Sequence, residues 1–171
     1  MSTITTSKSA PSGTWTIDPV HSSNSFEVGY AGVGTFRGSF RDFDVTLADG
    51  VLQGSAKVAS VDVKDEQLNG HLQTPDFFDA ERFPEITFRT SDLERGELTI
   101  KGVTRPIEIS ASATEPNLDP FGREKVGITL EATVDRNEYG VSWNAPNQGG
   151  GNYLGDDVKI RAELVLVRQE A

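Results

Sequence analysis

Strict alternation of apolar and polar residues over most of a chain is the feature that most limits its fold, because a spacing of two fits a half-buried strand and no helix. Phe26/Val28/Tyr30, Phe43/Val45/Leu47, Ile86/Phe88, Leu98/Ile100 and Ile107/Ile109/Ala111/Ala113 keep that spacing. So do Val126/Ile128/Leu130/Ala132/Val134 and Val158/Ile160/Ala162/Leu164/Leu166, with Glu131, Lys159, Arg161 and Glu163 between apolar neighbours. Antiparallel strands that are dry on one side must close that side around something. The apolar members shrink along the chain, from rings in the first strands to Ala111, Ala113, Ala132 and Ala162.

A one-sided pattern suits either two stacked sheets or one sheet closed on itself. A sandwich of short strands would show turn signals every 8 to 12 residues or so. Several patterns here run for about ten residues, and Gly29, Gly32, Gly34 and Gly38 permit the bulges and coiling that a small barrel needs. An extended antiparallel barrel of about eight strands is therefore the expected fold. Such a barrel has room for side chains or for one small ligand. The alanines point to an open slot, whereas the phenylalanines could fill it, and composition leaves both outcomes open.

Residues 1–13 are small and polar and read as a disordered tail, leaving 14–171 as a single domain. Asp49-Gly50 signals a tight hairpin. Residues 53–64 read as a strand of unclear phase, since Val58 and Val61 have opposite parity. Period two then stops. Asp65 opens a short helix toward Leu72, and Thr74-Pro75-Asp76 signals the start of a second. Arg95-Gly96 and Glu115-Pro116-Asn117 read as turns.

A net charge of −10 argues against nucleic acid or an anionic membrane surface as partner. The chain has no cysteine, so it has no disulfide, thiolate metal site or thiol nucleophile. No apolar run suits a secretory signal or a membrane span, so the sequence reads as cytoplasmic.

The order and spacing of several short motifs narrow the reading further. They are Trp15-Thr16-Ile17-Asp18-Pro19-Val20-His21-Ser22, Gly38-Ser39-Phe40, Gly70-His71-Leu72 and Asp76-Phe77-Phe78-Asp79. Phe83-Pro84, the run from Leu98 to Ile107, and Asp135-Arg136 with Tyr139-Gly140 complete the series. Together they resemble the YceI family of lipocalin-like, polyisoprenoid-binding proteins, from Thr14 to about Val167. The resemblance implies a lipocalin-like barrel with a helical insert, holding a long isoprenoid such as a polyprenyl phosphate or a quinone tail. It also makes a homodimer a state to test. The chain departs from the family pattern at Tyr30, where a His is common, and at Leu68-Asn69, where an Arg is frequent. Both changes remove a cation that a pyrophosphate head could use.

On this reading the wall of the binding site comprises Phe26, Val28, Tyr30, Phe43, Phe88, Ile109, Ala111, Leu130, Ala132, Ala162 and Leu164. Phe77, Phe78 and Phe83 on the insert form a plug or a mobile lid, and His71 contacts a head group or serves only structure. Neither His21 nor His71 has further ligands at a metal spacing, and no metal or cofactor is expected. Asn147 to Tyr153 is rich in glycine but lacks the Lys and Ser/Thr of a phosphate loop, and reads as a flexible connection; Tyr139 and Trp143 before it read equally as an aromatic rim or as core. No nucleophile elbow or triad is visible, so the chain reads as a binding protein rather than an enzyme. Two alternatives stand beside the carrier: a filled barrel that binds a protein, for example in a stress response, and a cofactor-free isomerase or hydrolase built on His71.

Overall fold

The computed structural model describes residues 10–169 and the backbone of Ile4 and Thr5. Its strand segments are β1 (Ile4–Thr5), β2 (Thr14–Ile17), β3 (Ser23–Tyr30), β4 (Gly34–Phe40), β5 (Phe43–Ala48), β6 (Val51–Lys57) and β7 (Val61–Asp62). After the helix α1 (Glu66–Leu72) come β8 (Glu85–Thr90), β9 (Arg95–Ile100), β10 (Val103–Glu108), β11 (Ser110–Thr114), β12 (Asn117–Leu118), β13 (Glu124–Asp135) and β14 (Leu154–Arg168). Every pairing between them is antiparallel.

Several neighbours in sequence behave as one long bent strand. β2 and β3 pair successive parts of β14, while β4 and β5 continue into each other beside them. β6 and β7 follow that line in turn, pairing β5 and β4. β10 pairs β9, and after Ile109 its continuation β11 pairs β13. Counted this way, β2–β3, β4–β5, β6–β7, β8, β9, β10–β11, β13 and β14 are eight strands whose ladders lead from each to the next and from β14 back to β2–β3. The alternation of the sequence is thus spent on a single sheet joined into a ring.

One stretch of this ring has no ladder. Beyond the Ser110↔Glu131 pair, β10 lies within 8 Å of β13, Cα to Cα, without pairing to it. The Arg105 guanidinium and the Glu138 carboxylate, 3.3 Å apart, bridge the two sides farther along.

Turn chemistry explains most connections. Asp49 and Gly50 both have positive φ, 52° and 80°, as a two-residue hairpin between β5 and β6 requires. Asp65 caps α1, its carboxylate accepting from the Leu68 N–H at 3.0 Å. The second helix is not formed. Thr74 donates its hydroxyl to the His71 carbonyl instead of capping, and turns carry the chain on to Asp79 at φ 54°. Arg95-Gly96 is not a turn either, since both belong to β9 and the reversal lies at 91–94 with Leu93 at positive φ. Gly96 is needed there because a Cβ would overlap the Phe88 ring across the ladder. Glu115-Pro116-Asn117 leads only into β12, and the chain reverses at Asp119 to Gly122, where the Gly122 N–H bonds back to the Asp119 carbonyl. Most of the tail expected over residues 1–13 lies outside the described residues, but Ile4 and Thr5 pair with β11.

The interior divides into two clusters. Trp15, Leu47, Leu52, Val126, Ile128 and Leu166 anchor a densely packed end. Phe77, Leu98, Tyr139, Val141 and Leu154 belong to the other end, beneath the insert. Between β2 and β3 the Asp18 carboxylate accepts from Lys125 Nζ at 2.7 Å and approaches His21 Nδ1 at 2.8 Å.

The Lys125 hydrogen bond, outweighing burial and helped by His21, holds the Asp18 carboxyl well below the usual carboxylate range. A depressed carboxylate stabilises the fold above its unfolded pKa, and this stabilisation is lost as pH falls below about 4 toward the folded value. Asp18→Asn is therefore expected to cost about 1–3 kcal/mol at pH 7. The gap from wild type should narrow between pH 4 and pH 2. Thermal melts across that range test this, and a pH-independent gap would refute it.

Candidate functional site

The barrel interior is not filled. A cavity of about 370 Å³ opens between the two clusters, within the size range of small-molecule sites. Its walls are almost wholly apolar because each strand turns its apolar phase inward.

Phe26 and Val28 enter it from β3, Phe43 from β5, and Phe88 from β8. Leu130 and Ala132 line it from β13, Ala162 and Leu164 from β14, and Ile109 from the joint between β10 and β11. The insert contributes Phe77, Phe78 and His71. Three of the expected site residues, two from the wall and one from the insert, stand elsewhere. Tyr30 ends β3 beyond the cavity, 38% exposed, with its ring edge-on behind Phe36 and Tyr153, which do line it. Phe83 packs against the Gly102 turn with the Arg82 guanidinium 5.2 Å above its ring. Ala111 faces Leu130 and packs against the dense cluster. Ala113 is buried in that cluster too, so of these four small wall positions only Ala132 and Ala162 line the cavity.

An aromatic group covers the end below the insert. His71 lies 5.0 Å from Phe77 and 5.2 Å from Trp143, ring centre to ring centre, and Trp143 lies 6.2 Å from Tyr153. His71 Nε2 is 3.0 Å from the Asp76 carboxylate, which fixes the imidazole between the insert and the rings. His21, in contrast, pairs with Asp18 on the outside of the barrel. Among the described residues, no group of three or more His, Cys, Asp and Glu is placed to hold a metal. No helix among them is long and apolar enough to cross a membrane.

Alternation reveals none of the cavity's buried polar groups, because they sit on a 3₁₀ turn, Arg136–Tyr139, after β13. Arg136 is 6% exposed and lines the cavity. Its Nε donates to the Gly155 carbonyl at 2.7 Å, and its Nη1 to those of Val141 and Trp143 at 2.6 and 2.9 Å. Tyr139, 1% exposed, lines the cavity as well. Burial pushes the Tyr139 phenol up, so it remains a hydrogen-bond donor. Burial also lowers the Arg136 pKa, against the opposing fields of Asp156 and Asp135.

The same framework occurs in known proteins. The YceI-like domain model matches residues 15–166. A UPF0312 protein of Staphylococcus aureus strain USA300 is 32% identical over 160 residues, covering 86% of this chain and 94% of that one. Among solved structures, BcnA of Burkholderia cenocepacia superposes with a TM-score of 0.71 at 22% identity, over 87% of this chain and 98% of that one. A polyisoprenoid binding domain from Saccharophagus degradans gives 0.74 at 12% identity, over 91% and 98% of the two chains. Fold, motif order and sequence identity agree, and the chain belongs to the YceI-like domain family.

Proposed function

We propose that this protein binds one long isoprenoid lipid inside its barrel, for carriage or storage, and that it makes and breaks no bonds. The observation that carries this reading is the apolar cavity of about 370 Å³ running from the aromatic insert toward the packed end. The polyisoprenoid binding domain of similar fold lends support. Burial of a chain supplies the affinity: each methylene-sized group removed from water contributes about 0.8 kcal/mol, so one prenyl unit contributes a few kcal/mol before ordering costs. Phe26, Phe43, Phe88 and Ile109 would hold the chain along the strands, while Phe77 and Phe78 would shield it from the insert side.

All-trans prenols of 10, 20 and 45 carbons, titrated into the full chain and read by Trp143 fluorescence and native mass spectrometry, test the proposal. The expected result is a 1:1 complex whose affinity rises about tenfold or more from one chain length to the next until the cavity is full. Absence of a complex, or affinity independent of length, would sink the carrier reading.

A further inference from the structure

We propose that the lipid enters with its oxygen-bearing end toward Arg136 and Tyr139, and that this end is an uncharged carbonyl-type oxygen accepting hydrogen bonds from Arg136 Nη2 and the Tyr139 hydroxyl. The inference rests on the carrier reading and adds to it an orientation, a ligand class and the residues that select it.

These two groups are the buried side-chain nitrogen and oxygen atoms left without a hydrogen-bond partner among the described residues. Buried donors in native interiors are nearly always satisfied, and leaving one unpaired is costly. Both residues line the same cavity, with the two unpaired atoms lying just beneath its wall. They also stand three residues apart on one 3₁₀ turn, and i and i+3 side chains eclipse in that geometry, so both project from the same side of the turn. Arg136 cannot swing away to find a partner, because three backbone carbonyls hold its other nitrogens. The arrangement holds two unpaired donors beneath the cavity wall, where a guest's oxygen that displaces the thin cover over them would satisfy both.

The surrounding charge selects the kind of oxygen. Asp135 and Asp156 both act on the guanidinium, and the Asn137 side-chain amide ties the two carboxylates together at 2.9 and 2.8 Å. The buried cation thus already lies in the field of two carboxylates. A pyrophosphate would bring further negative charge into a cavity walled by hydrocarbon, where desolvating it is costly. A carbonyl oxygen takes both hydrogen bonds without adding charge.

Tyr139→Phe removes the hydroxyl and little else, and since that group is unpaired in the free protein, the variant should melt no lower than wild type. Three C20 probes complete the test: geranylgeranial, geranylgeranyl pyrophosphate and the hydrocarbon phytane. Wild type should bind the aldehyde about tenfold more tightly than phytane, and more tightly than the pyrophosphate. In the variant the aldehyde should weaken about five- to tenfold, with phytane unchanged. The infrared carbonyl stretch of the bound aldehyde should lie lower in wild type than in the variant. Unchanged aldehyde affinity and carbonyl frequency in the variant, or a preference for the pyrophosphate, would overturn the inference while leaving the carrier intact. Failure of all three probes to bind would remove the carrier reading and the inference with it.

Discussion

Ala132→Trp is expected to leave the barrel folded while weakening a 45-carbon prenol by about 100-fold. Ala132 lies opposite Ile160 in the β13–β14 ladder, with its methyl on the cavity wall. An indole there projects into open space rather than into packed atoms, so the usual overpacking cost of about 1–3 kcal/mol should be largely avoided. The ring instead occupies room for about one prenyl unit, which removes roughly 3 kcal/mol of burial, equivalent to about two powers of ten in Kd. Melting temperature and prenol titration measured on the same preparation decide the matter. A variant that binds normally would place the chain elsewhere. One that loses its fold would show that the wall at Ala132 has no room for a ring.

The opposite outcome is expected at the packed end. Trp15 is fully buried, donates its indole N–H to the Ser12 carbonyl at 3.0 Å and carries the Arg168 guanidinium 4.4 Å above its ring. Its strand β2 sits between β14 and β5, so the side chain fills the corner where these three meet. Trp15→Ala should cost about 3–5 kcal/mol, since a void of that size is only partly closed by relaxation. For a domain of this length that corresponds to a fall in Tm of roughly 6–20 °C. Prenol affinity below the transition should stay within about twofold, because Trp15 does not line the cavity. Strong loss of affinity without loss of Tm would mean that the lipid reaches through the packed end.

These two residues also illustrate what a sequence of this kind reveals. Strand phase was legible because parity alone decides which side chains share a face, and it placed Phe26, Val28, Phe43, Phe88, Ala132 and Ala162 on the cavity wall. Parity says nothing about height along the barrel. Tyr30 and Ala111 share the inward phase, yet one has passed the end of the cavity and the other lies in the dense cluster. The conflict between Val58 and Val61 had a local cause: a single 3₁₀ turn, Val58–Ser60, resets the phase so that both become buried. Gly96 read as a turn because glycine signals both a reversal and a close approach, and only the Phe88 ring across the ladder distinguishes them. Arg136 escaped, and Tyr139 was read only as a ring and not as a donor, for a related reason. Their role depends on a turn that leaves the strand period, and the one trace of it in the sequence was the motif Asp135-Arg136 with Tyr139-Gly140.

The unladdered stretch between β10 and β13 has a mechanical consequence. Four residue pairs, from Ser110↔Glu131 to Ala113↔Ile128, stitch β11 to β13, and past them the two edges are held by side chains and the exposed Arg105–Glu138 pair. An exposed ion pair is worth at most about 1 kcal/mol. Parting those edges would break no ladder hydrogen bond, so a guest too thick for the cavity would meet least resistance along this seam, as in a slit sleeve, while the stitched half kept its girth.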